Sequence, residues 1–418
     1  MDLKRVVVTG LGALTPVGNT VAETWKSLLE GKSGAAPITR FDASKFKTQF
    51  ACEVKGFDPL AHFDRKELRR YDRYSQLAVV AAREAIKDSV QDPDTLDKDN
   101  VGVIISAGIG GLETLEQEIS AYNEERGPRF SPFFVPKMIA DMAAGFVSME
   151  YGFRGPNYSV ASACASSTNA IIDATMLIRL GKASMIVAGG SEAAVTFSAI
   201  GGFSALNALS TRNDAPEKAS RPFSKSRDGF VLGEGSAILV LEELEHALAR
   251  GAKIYAEVAG FGLSADAYHL TASHPEGYGA KLVMRRALED SGLKAEDIDY
   301  INMHGTSTPV GDLSEVKAIC DVFGKDAYRL NLSSTKSMTG HLLGAAGALE
   351  ALVVVKSVQE DIIPPTINHE EGDDDPEIDA KLNFTFNKPQ KREIRAAISN
   401  TFGFGGHNAS AVFKKYKG

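Results

Sequence analysis

Apolar residues in this chain form short runs, separated by turns rich in glycine and other small residues. Short runs predict buried strands, and apolar positions that recur at helical spacing predict buried helices. The predicted strands are residues 5–12, 101–106 and 184–190, with a strand pair at 233–242, and the predicted helices are residues 75–86 and 171–178. Because strands and helices alternate, the pattern predicts an α/β fold with mostly parallel sheets. Residues 112–137 contain Pro128, Pro132 and Pro136 and are predicted to form a loop or lid.

The second part of the chain repeats this pattern. Four elements match in the same order: 255–262 with 5–12, 298–304 with 101–106, 330–355 with the strand, turn and helix around residue 164, and 405–413 with 233–241. Four matches in order predict an internal duplication, with one half at residues 1–254 and the other at 255–418. A site shared by the halves is expected at their junction, near helix N-termini.

Composition and charge exclude several classes of protein. With 44% hydrophobic and 24% charged residues, the 418-residue chain is typical of a globular protein with a large core. The formal net charge of −8 argues against nucleic acid as a partner, and no apolar run is long enough for a membrane helix. The three cysteines, Cys52, Cys164 and Cys320, indicate free thiols in a reducing compartment. We therefore expect a cytoplasmic protein, or one delivered to an organelle after processing.

The N-terminal segment carries two weak signals. A basic pair before an apolar run imitates a signal peptide, but Gly10, Gly12 and Pro16 interrupt that run. The same two glycines form part of a dinucleotide-binding pattern whose third glycine is replaced by Thr15. A first strand that ends in a tight glycine turn is the better interpretation.

Cys164 is the first candidate for chemistry. It lies where a strand-like stretch enters the helix predicted at residues 171–178, next to the first N–H groups of that helix. The positive end of a helix favours a thiolate, so the position predicts a lowered pKa and a nucleophile. The alternative is a buried structural cysteine.

Three further turns carry residues that can act with this cysteine. His304 and His341 each follow a predicted strand of the second half, and the glycine-rich turn at residues 399–406 can present backbone N–H groups in a concave nest. Taken singly, a histidine in a turn is more often a solvated or capping residue, and Thr306 and Thr308 are explained as helix-capping or turn residues. One cysteine and two histidines that all follow strands in equivalent halves predict a shared pocket.

Cysteine and histidine together fit several chemistries. A cysteine protease needs one histidine and an orienting Asn or Asp, which leaves the second histidine and Lys336 without a role. A metal site made of Cys164, His304 and His341 would use up the thiolate as a ligand. Two histidines that donate hydrogen bonds to an enolate oxygen, opposite a thiolate that holds an acyl group, suit the formation of carbon–carbon bonds.

Three motifs identify a family that uses this last chemistry. Cys-Ala-Ser-Ser at 164–167, His-Gly-Thr-Ser-Thr-Pro at 304–309 followed by Gly311-Asp312, and the run at 336–347 resemble the β-ketoacyl-[acyl-carrier-protein] synthases. Residues 106–111 and 130–136 are more similar to the type II than to the type I synthases. The resemblance implies the thiolase fold, an α/β fold of two similar halves in five αβαβα layers, usually as a homodimer.

The resemblance also implies a reaction that needs no cofactor. Cys164 takes an acyl chain from acyl carrier protein, and malonyl-carrier protein then loses carbon dioxide. The resulting enolate attacks the Cys164 thioester and extends the chain by two carbons. His304 and His341 stabilise the enolate oxygen through their Nε2–H groups, and Lys336 supports them with Glu350 as its partner. The backbone N–H groups of Cys164 and Phe402 form the oxyanion hole.

Further residues take their roles from the same resemblance. Phe402 is the gating aromatic, on a loop made mobile by glycine, and Ile109 closes the far wall of the acyl pocket. Acyl carrier protein is acidic, so a local basic patch is expected to bind it. The implied substrate-binding residues are Ile109, Phe203, Thr306, Thr308, Phe402 and Gly403. The implied carrier-binding patch is Lys66, Arg69, Arg70 and Arg129, and a structural monovalent cation would lie near Asn302, Glu350, Ser399 and Asn400.

Three related activities compete with this interpretation. A thiolase acts on coenzyme A thioesters and typically has a second cysteine where this chain has His341. The silent partner of some polyketide heterodimers lacks the nucleophile, which is present here. A polyketide ketosynthase with an intact cysteine carries the same motifs and remains open.

Overall fold

Ten strands form one continuous sheet, and four short strands form two small two-stranded sheets. The computed structural model describes residues 3–418, apart from the side chains of residues 125 and 126. The strands are β1 (Val6–Leu14), β2 (Ala36–Pro37), β3 (Phe50–Ala51), β4 (Val101–Ser106), β5 (Asn157–Tyr158), β6 (Met185–Glu192), β7 (Gly235–Glu243), β8 (Ala256–Ala265), β9 (Tyr300–Asn302), β10 (Asn331–Ser333), β11 (Ile362–Ile363), β12 (Gln390–Lys391), β13 (Ala396–Gly403) and β14 (His407–Lys414).

Thirteen α-helices of the described residues accompany these strands, together with short 3₁₀ turns and one π-helical segment. The helices are α1 (Val21–Leu29), α2 (Arg65–Leu68), α3 (Arg73–Ser89), α4 (Leu112–Ala121), α5 (Phe134–Met138), α6 (Met142–Tyr151), α7 (Ser166–Arg179), α8 (Phe197–Ala205), α9 (Leu244–Ala249), α10 (Tyr278–Ser291), α11 (Pro309–Phe323), α12 (Lys336–Thr339) and α13 (Ala346–Glu360).

The two halves of the large sheet have the same strand order. Its first five strands lie in the order β5-β4-β6-β7-β1, and the other five in the order β10-β9-β13-β14-β8. Each half thus places its own strands in the order third, second, fourth, fifth, first, with the same parallel and antiparallel pairs. The halves join where β1 pairs antiparallel with β8. The repeated order confirms the predicted duplication and adds the pair β6 and β13; the division at residue 254 stays a prediction.

Helices cover both halves and fill the space between them. Helices α7 and α13 contact strands of both halves, so they form the central layer. Helices α3 and α6 pack on the outer side of the first half, and α10 packs on the outer side of the second, next to α11. Nearly every side chain of α13 is buried, because the helix lies between strands of the first half and strands of the second half. This is the five-layer αβαβα arrangement that the resemblance to the synthases implies.

The tight turn predicted at the glycines of the first strand does not form. Strand β1 instead runs through Gly10 and Gly12 to Leu14. A Cβ atom at these two positions would lie 2.3 and 1.9 Å from carbonyl oxygens of α3. The second half has the same close approach of a helix to a strand, since a Cβ atom at Gly260 or Gly262 would lie 2.4 or 2.1 Å from backbone atoms of α10. These glycines let a helix close onto a strand, which is why no phosphate-binding turn forms here.

The loop predicted at residues 112–137 is largely helical. Helix α4 occupies Leu112–Ala121, a π-helical segment follows at Tyr122–Arg126, and α5 begins at Phe134. The prolines misled the prediction because two of them lie in the short connection at residues 127–133 and the third lies in the first turn of α5, where proline is tolerated. The predicted strand pair at 233–242 is likewise one strand, β7.

Across residues 3–418, the longest apolar helices fall short of what crossing a bilayer requires.

Candidate active site

Cys164 lies at the turn that the sequence predicts. A 3₁₀ turn, Ala163–Ala165, leads directly into α7, and Ala163 has a φ of 51°. The equivalent turn of the second half, Leu343–Ala345, precedes α13, and Leu343 has a φ of 47°. A positive φ is uncommon for residues with a side chain, so both turns are held by their surroundings. The turn places the Cys164 sulfur at the wall of a cavity.

The two predicted histidines meet this sulfur. The His341 Nε2 atom lies 3.0 Å from the Cys164 Sγ atom. The His304 and His341 ring centroids are 5.3 Å apart, with the ring planes at 88°. One ligand-capable atom of each of the three residues lies within 4.8 Å of the others. The first half therefore supplies the cysteine and the second half supplies both histidines.

Backbone hydrogen bonds fix the histidines. The His341 N–H donates to the carbonyl oxygen of Val231 at 2.7 Å, which ties the turn before α13 to the chain leading into β7. The His304 and Gly305 N–H groups each donate at 2.9 Å to the buried carboxylate of Glu315 on α11. Sequence reasoning missed Glu315; its signal was an acidic residue on the buried face of a helix.

Burial sets the protonation of the site. Burial lowers the pKa of His304 and of His341 well below the usual value, and the charge of Lys336 lowers both further, so both rings are neutral at pH 7. Burial raises the pKa of the Cys164 thiol to about 11, and Lys336 opposes only part of that rise. The prediction of a lowered thiol pKa is therefore wrong, because desolvation outweighs the favourable charges near the helix end.

Lys336 and Glu350 form the pair that the sequence predicts. The Lys336 ammonium group contacts the Glu350 carboxylate, and both side chains are almost completely buried. Burial raises the pKa of Glu350 to about 7, and Lys336 opposes that rise. The charge of Lys336 lowers the pKa of the thiol and of both imidazoles, whereas the charge of Glu350 raises the pKa of the thiol.

The backbone N–H of Phe404 donates to the Cys164 sulfur, which makes Phe404 a better candidate than the predicted Phe402 for the second donor of the oxyanion hole. Phe402 lies within β13 and pairs with Asn408 of β14, whereas Phe404 lies in the turn between these strands. The Phe402 ring instead lies 5.8 Å from the His304 ring, centroid to centroid. The signal for Phe404 was the Gly-Phe-Gly-Gly turn, which frees an N–H from the strand ladder.

Gly403 lets the same turn approach the nucleophile. A Cβ atom at this position would lie 2.9 Å from the carbonyl oxygen of Ser162 and 3.1 Å from the Cys164 nitrogen. A side chain there would crowd the backbone N–H of Cys164. The prediction that Gly403 belongs to the site thus has a steric reason.

The cavity in front of the sulfur has a volume of about 500 Å³. The Phe203 ring lies 5.4 Å from the Phe230 ring and 6.3 Å from the Phe404 ring. Thr306 and Thr308 share a hydrogen bond of 3.0 Å. All six predicted substrate-binding residues line the cavity, namely Ile109, Phe203, Thr306, Thr308, Phe402 and Gly403. Sequence reasoning missed other lining residues, among them Leu206, Phe230, Val310, Leu343 and Phe404.

The predicted cation site contains free oxygen atoms. Asn302 and Ser399 are register partners on neighbouring parallel strands, so their side chains lie on one face of the sheet. The Asn302 Oδ1, Ser399 Oγ and Glu350 Oε2 atoms are buried and lack a hydrogen-bond partner among the described residues. The Asn400 Oδ1 atom already accepts from Ser410 at 2.6 Å. Three of the four predicted residues therefore fit a monovalent cation, and Asn400 is engaged elsewhere.

The predicted basic patch is exposed. Lys66, Arg69 and Arg70 lie on or just after α2, and Arg129 lies in the connection before α5. The Arg70 guanidinium lies 5.9 Å from the centroid of the Phe133 ring, which brings that connection beside α2. None of the four cations forms an ion pair with a side chain that the structure describes.

The architecture and the site together define a thiolase-fold enzyme with one cysteine and two histidines at the junction of its halves. The N-terminal domain model of the beta-ketoacyl synthases matches residues 3–247, and the C-terminal domain model matches residues 255–370. The chain belongs to the beta-ketoacyl synthase family.

Individual relatives agree with this assignment. The chain is 50% identical to the 3-oxoacyl-[acyl-carrier-protein] synthase 2 of Synechocystis sp. over 417 residues, which is 100% of this chain and 99% of the relative. It is 50% identical to the synthase 2 of Staphylococcus aureus (strain COL) over 99% of both chains. A beta-ketoacyl synthase from Burkholderia phymatum STM815 superposes with a TM-score of 0.91 at 36% identity, covering 99% of this chain and 100% of that one.

One of the similar solved structures contains an acyl-carrier protein. It is a type II polyketide synthase acyl-carrier protein in complex with its ketosynthase, which is bound to a hexaketide. This chain matches it with a TM-score of 0.91 at 33% identity, covering 99% of this chain and 100% of that one.

Proposed function

We propose that this protein is a 3-oxoacyl-[acyl-carrier-protein] synthase that elongates fatty acids by decarboxylative condensation with malonyl-carrier protein. The single observation that carries the proposal is the placement of two neutral imidazoles against one thiol, with His341 Nε2 3.0 Å from Cys164 Sγ. The two relatives that are 50% identical bear this activity as their name.

Acyl transfer begins with the neutral thiol. The Cys164 sulfur attacks the thioester carbonyl of acyl-carrier protein, and the neutral His341 is within reach of the thiol proton. The proton passes to the sulfur of the departing carrier, which leaves as a thiol. The carbonyl oxygen becomes negative in the transition state and is stabilised by the N–H groups of Cys164 and Phe404. Losing one such donor typically costs about 3 kcal/mol of transition-state stabilisation.

Condensation uses the two imidazoles as donors. The malonyl thioester loses carbon dioxide, and its electron pair moves onto the thioester oxygen as an enolate. Neutral His304 and His341 can each donate one hydrogen bond to that oxygen, and the charge of Lys336 stabilises it further. The enolate carbon then attacks the acyl–Cys164 thioester. The new carbon–carbon bond forms as the sulfur leaves and takes up a proton.

The partner of this chemistry is an acyl carrier protein. Lys66, Arg69, Arg70 and Arg129 form an exposed basic patch that suits an acidic carrier. The solved ketosynthase bound to its acyl-carrier protein supports this partner. The charge at the patch therefore matters more than the net charge of −8 on the whole chain.

A second copy of the chain is the other expected partner. Strand β5 lies at one edge of the ten-stranded sheet, where its backbone can pair further. The rings of Tyr122, Phe130 and Phe134 stack at centroid distances of 5.8 and 5.5 Å. Tyr122 and Phe130 are about half exposed, with other apolar residues exposed nearby in the sequence, and exposed apolar patches mark interaction sites. These features support a homodimer; the cytoplasmic location stays a prediction.

A structural cation would be held by Asn302, Ser399 and Glu350. Their buried, unpartnered oxygen atoms are the hard ligands that such an ion prefers. The ion would add positive charge beside Glu350 and stiffen the strands that carry His304. It takes no part in the reaction itself.

Two competing activities fit less well. A thiolase would need a second cysteine at the place that His341 occupies, and the structure puts an imidazole there. A polyketide ketosynthase shares the fold, but the solved polyketide complex is 33% identical, against 50% for the named synthases.

Mass spectrometry of the intact protein tests the nucleophile. After incubation with a panel of acyl-carrier proteins, the wild-type chain is expected to gain one acyl mass at Cys164, and the loaded lengths report its preference. Cys164→Ala abolishes loading, whereas His304→Ala and His341→Ala keep some loading and lose condensation. Full loading of Cys164→Ala would reject the assignment.

A further inference from the structure

Three soft or borderline ligand atoms converge at the bottom of the cavity. The Cys164 Sγ atom and one nitrogen each of His304 and His341 lie within 4.8 Å of one another. In protein zinc sites the metal lies about 2.3 Å from sulfur and about 2.0 Å from nitrogen, so tetrahedral ligands sit roughly 3.3–3.7 Å apart. The Sγ and His341 Nε2 atoms are closer than this, at 3.0 Å, and no separation among the three atoms exceeds 4.8 Å, so the side chains would have to shift slightly to close around an ion. The cavity leaves room for water as a fourth ligand.

We propose that this triad is also a reversible inhibitory site for Zn²⁺ and similar soft divalent cations. Cys164, His304 and His341 are the three protein ligands, and water is the fourth. The Cys164 thiol releases its proton as the sulfur–metal bond forms, and no other bond changes. A sulfur that binds a metal cannot carry an acyl chain, so binding and catalysis exclude each other.

Charge favours the ion to a limited extent. Lys336 is the positive charge that opposes a dication here, and its contact with Glu350 offsets much of that charge. The thiolate supplies the negative charge that the site otherwise lacks.

The surroundings of the histidines indicate an exchangeable ion. Histidine ligands of resident zinc sites almost always donate their second ring N–H to a carboxylate or carbonyl group. The Nδ1 atoms of His304 and His341 are buried and have no hydrogen-bond partner among the described residues. Without those contacts the ligands are oriented less firmly, so the ion binds and leaves. This distinguishes an inhibitory site from a structural one.

Cadmium provides a direct spectroscopic test. Cd²⁺ bound to a thiolate absorbs in the ultraviolet, so titration of the otherwise unaltered Cys320→Ser protein reports on the remaining thiols without any substrate. We expect one Cd²⁺ per chain, removed by a chelator, and no band in the Cys320→Ser/Cys164→Ala protein. Loss of an outer-shell contact to a metal-bound histidine typically weakens metal binding about 10–100-fold. Because His304→Ala and His341→Ala each remove a ligand itself, each is expected to weaken cadmium binding by about 100-fold or more.

A second measurement uses the wild-type protein and needs no variant to fold. Zn²⁺ at saturating concentration is expected to slow alkylation of Cys164 by iodoacetamide at least tenfold, and a chelator restores the rate. An unchanged alkylation rate overturns the proposal, as does a cadmium affinity that both histidine variants retain. Because neither measurement involves acyl transfer, the inhibitory site and the condensing activity fail or stand separately.

Discussion

At the scale of single residues, Cys164 is subject to opposing influences. The N-terminal end of α7, the N–H of Phe404 and the charge of Lys336 favour a thiolate. Burial of the sulfur favours the neutral thiol and prevails, raising the pKa to about 11. The resting site therefore holds a thiol beside two neutral imidazoles. The nucleophile forms only when the proton leaves during attack.

This balance predicts the pH dependence of Cys164 reactivity. A thiol with a pKa of about 11 is ionised to about one part in ten thousand at pH 7. Its rate of alkylation by iodoacetamide is expected to rise about tenfold per pH unit from pH 7 to pH 10, without a plateau. Peptide-resolved mass spectrometry separates Cys164 from Cys52 and Cys320. A rate that levels off below pH 7 would show the thiolate that the helix end alone predicts.

The residues of the site could be predicted to different degrees. Cys164, His304 and His341 were found because glycine-rich turns after strands mark the edge where such side chains meet. The contact between Lys336 and Glu350 could be predicted because the two side chains carry opposite charges and lie close together in the sequence. Phe404 was missed in favour of Phe402, because sequence does not show where β13 ends and the turn begins. The raised pKa of the Cys164 thiol could not be predicted, because the burial of the sulfur depends on packing from both halves.

At the scale of elements, the same residues can serve different purposes. Gly10 and Gly12 look like a turn signal, yet they lie in mid-strand beneath α3. Local sequence cannot distinguish a glycine turn from glycines in mid-strand, because the helix that packs against this strand lies about 70 residues further along the chain. The glycines at 260 and 262, in the equivalent strand of the second half, were the available signal. A glycine pair repeated in both halves indicates a packing need common to both.

This interpretation predicts the effect of Gly12→Ala. A Cβ atom there would lie 1.9 Å from the carbonyl oxygen of Ala81, which is backbone and cannot rotate away. Overpacking of this kind typically costs about 1–3 kcal/mol of unfolding free energy, measured by urea denaturation. The matched control is Gly145→Ala in α6, where a Cβ atom meets nothing within 4 Å and helix propensity favours alanine. Equal stability of the two variants would contradict the packing role.

At the scale of the whole molecule, duplication explains where the site lies. Each half ends a strand in a turn with a positive φ and then begins a central helix, α7 or α13. The first half places Cys164 at its turn, and the second half places glycine at the equivalent position, Gly344. A Cβ atom at Gly344 would lie 2.0 Å from the Gly108 nitrogen. One half thus keeps the nucleophile while the other contributes histidines, which explains why neither half carries the site alone.

Charge at the scale of the molecule gives the last prediction. The chain is acidic overall, with a formal net charge of −8, so an acidic carrier protein must be attracted locally. Lys66 and Arg69 are exposed and form no ion pair with a described side chain, so their charge is available to a partner. Lys66→Glu/Arg69→Glu is expected to raise KM for acyl-carrier protein about tenfold or more at low salt, while hydrolysis of small thioesters is unchanged.

The control is Lys388→Glu/Lys391→Glu, which changes the net charge equally at exposed positions in the second half. Equal effects of the two double variants would mean that net charge, and not this patch, governs encounter with the carrier; the difference is expected to shrink as salt screens the patch.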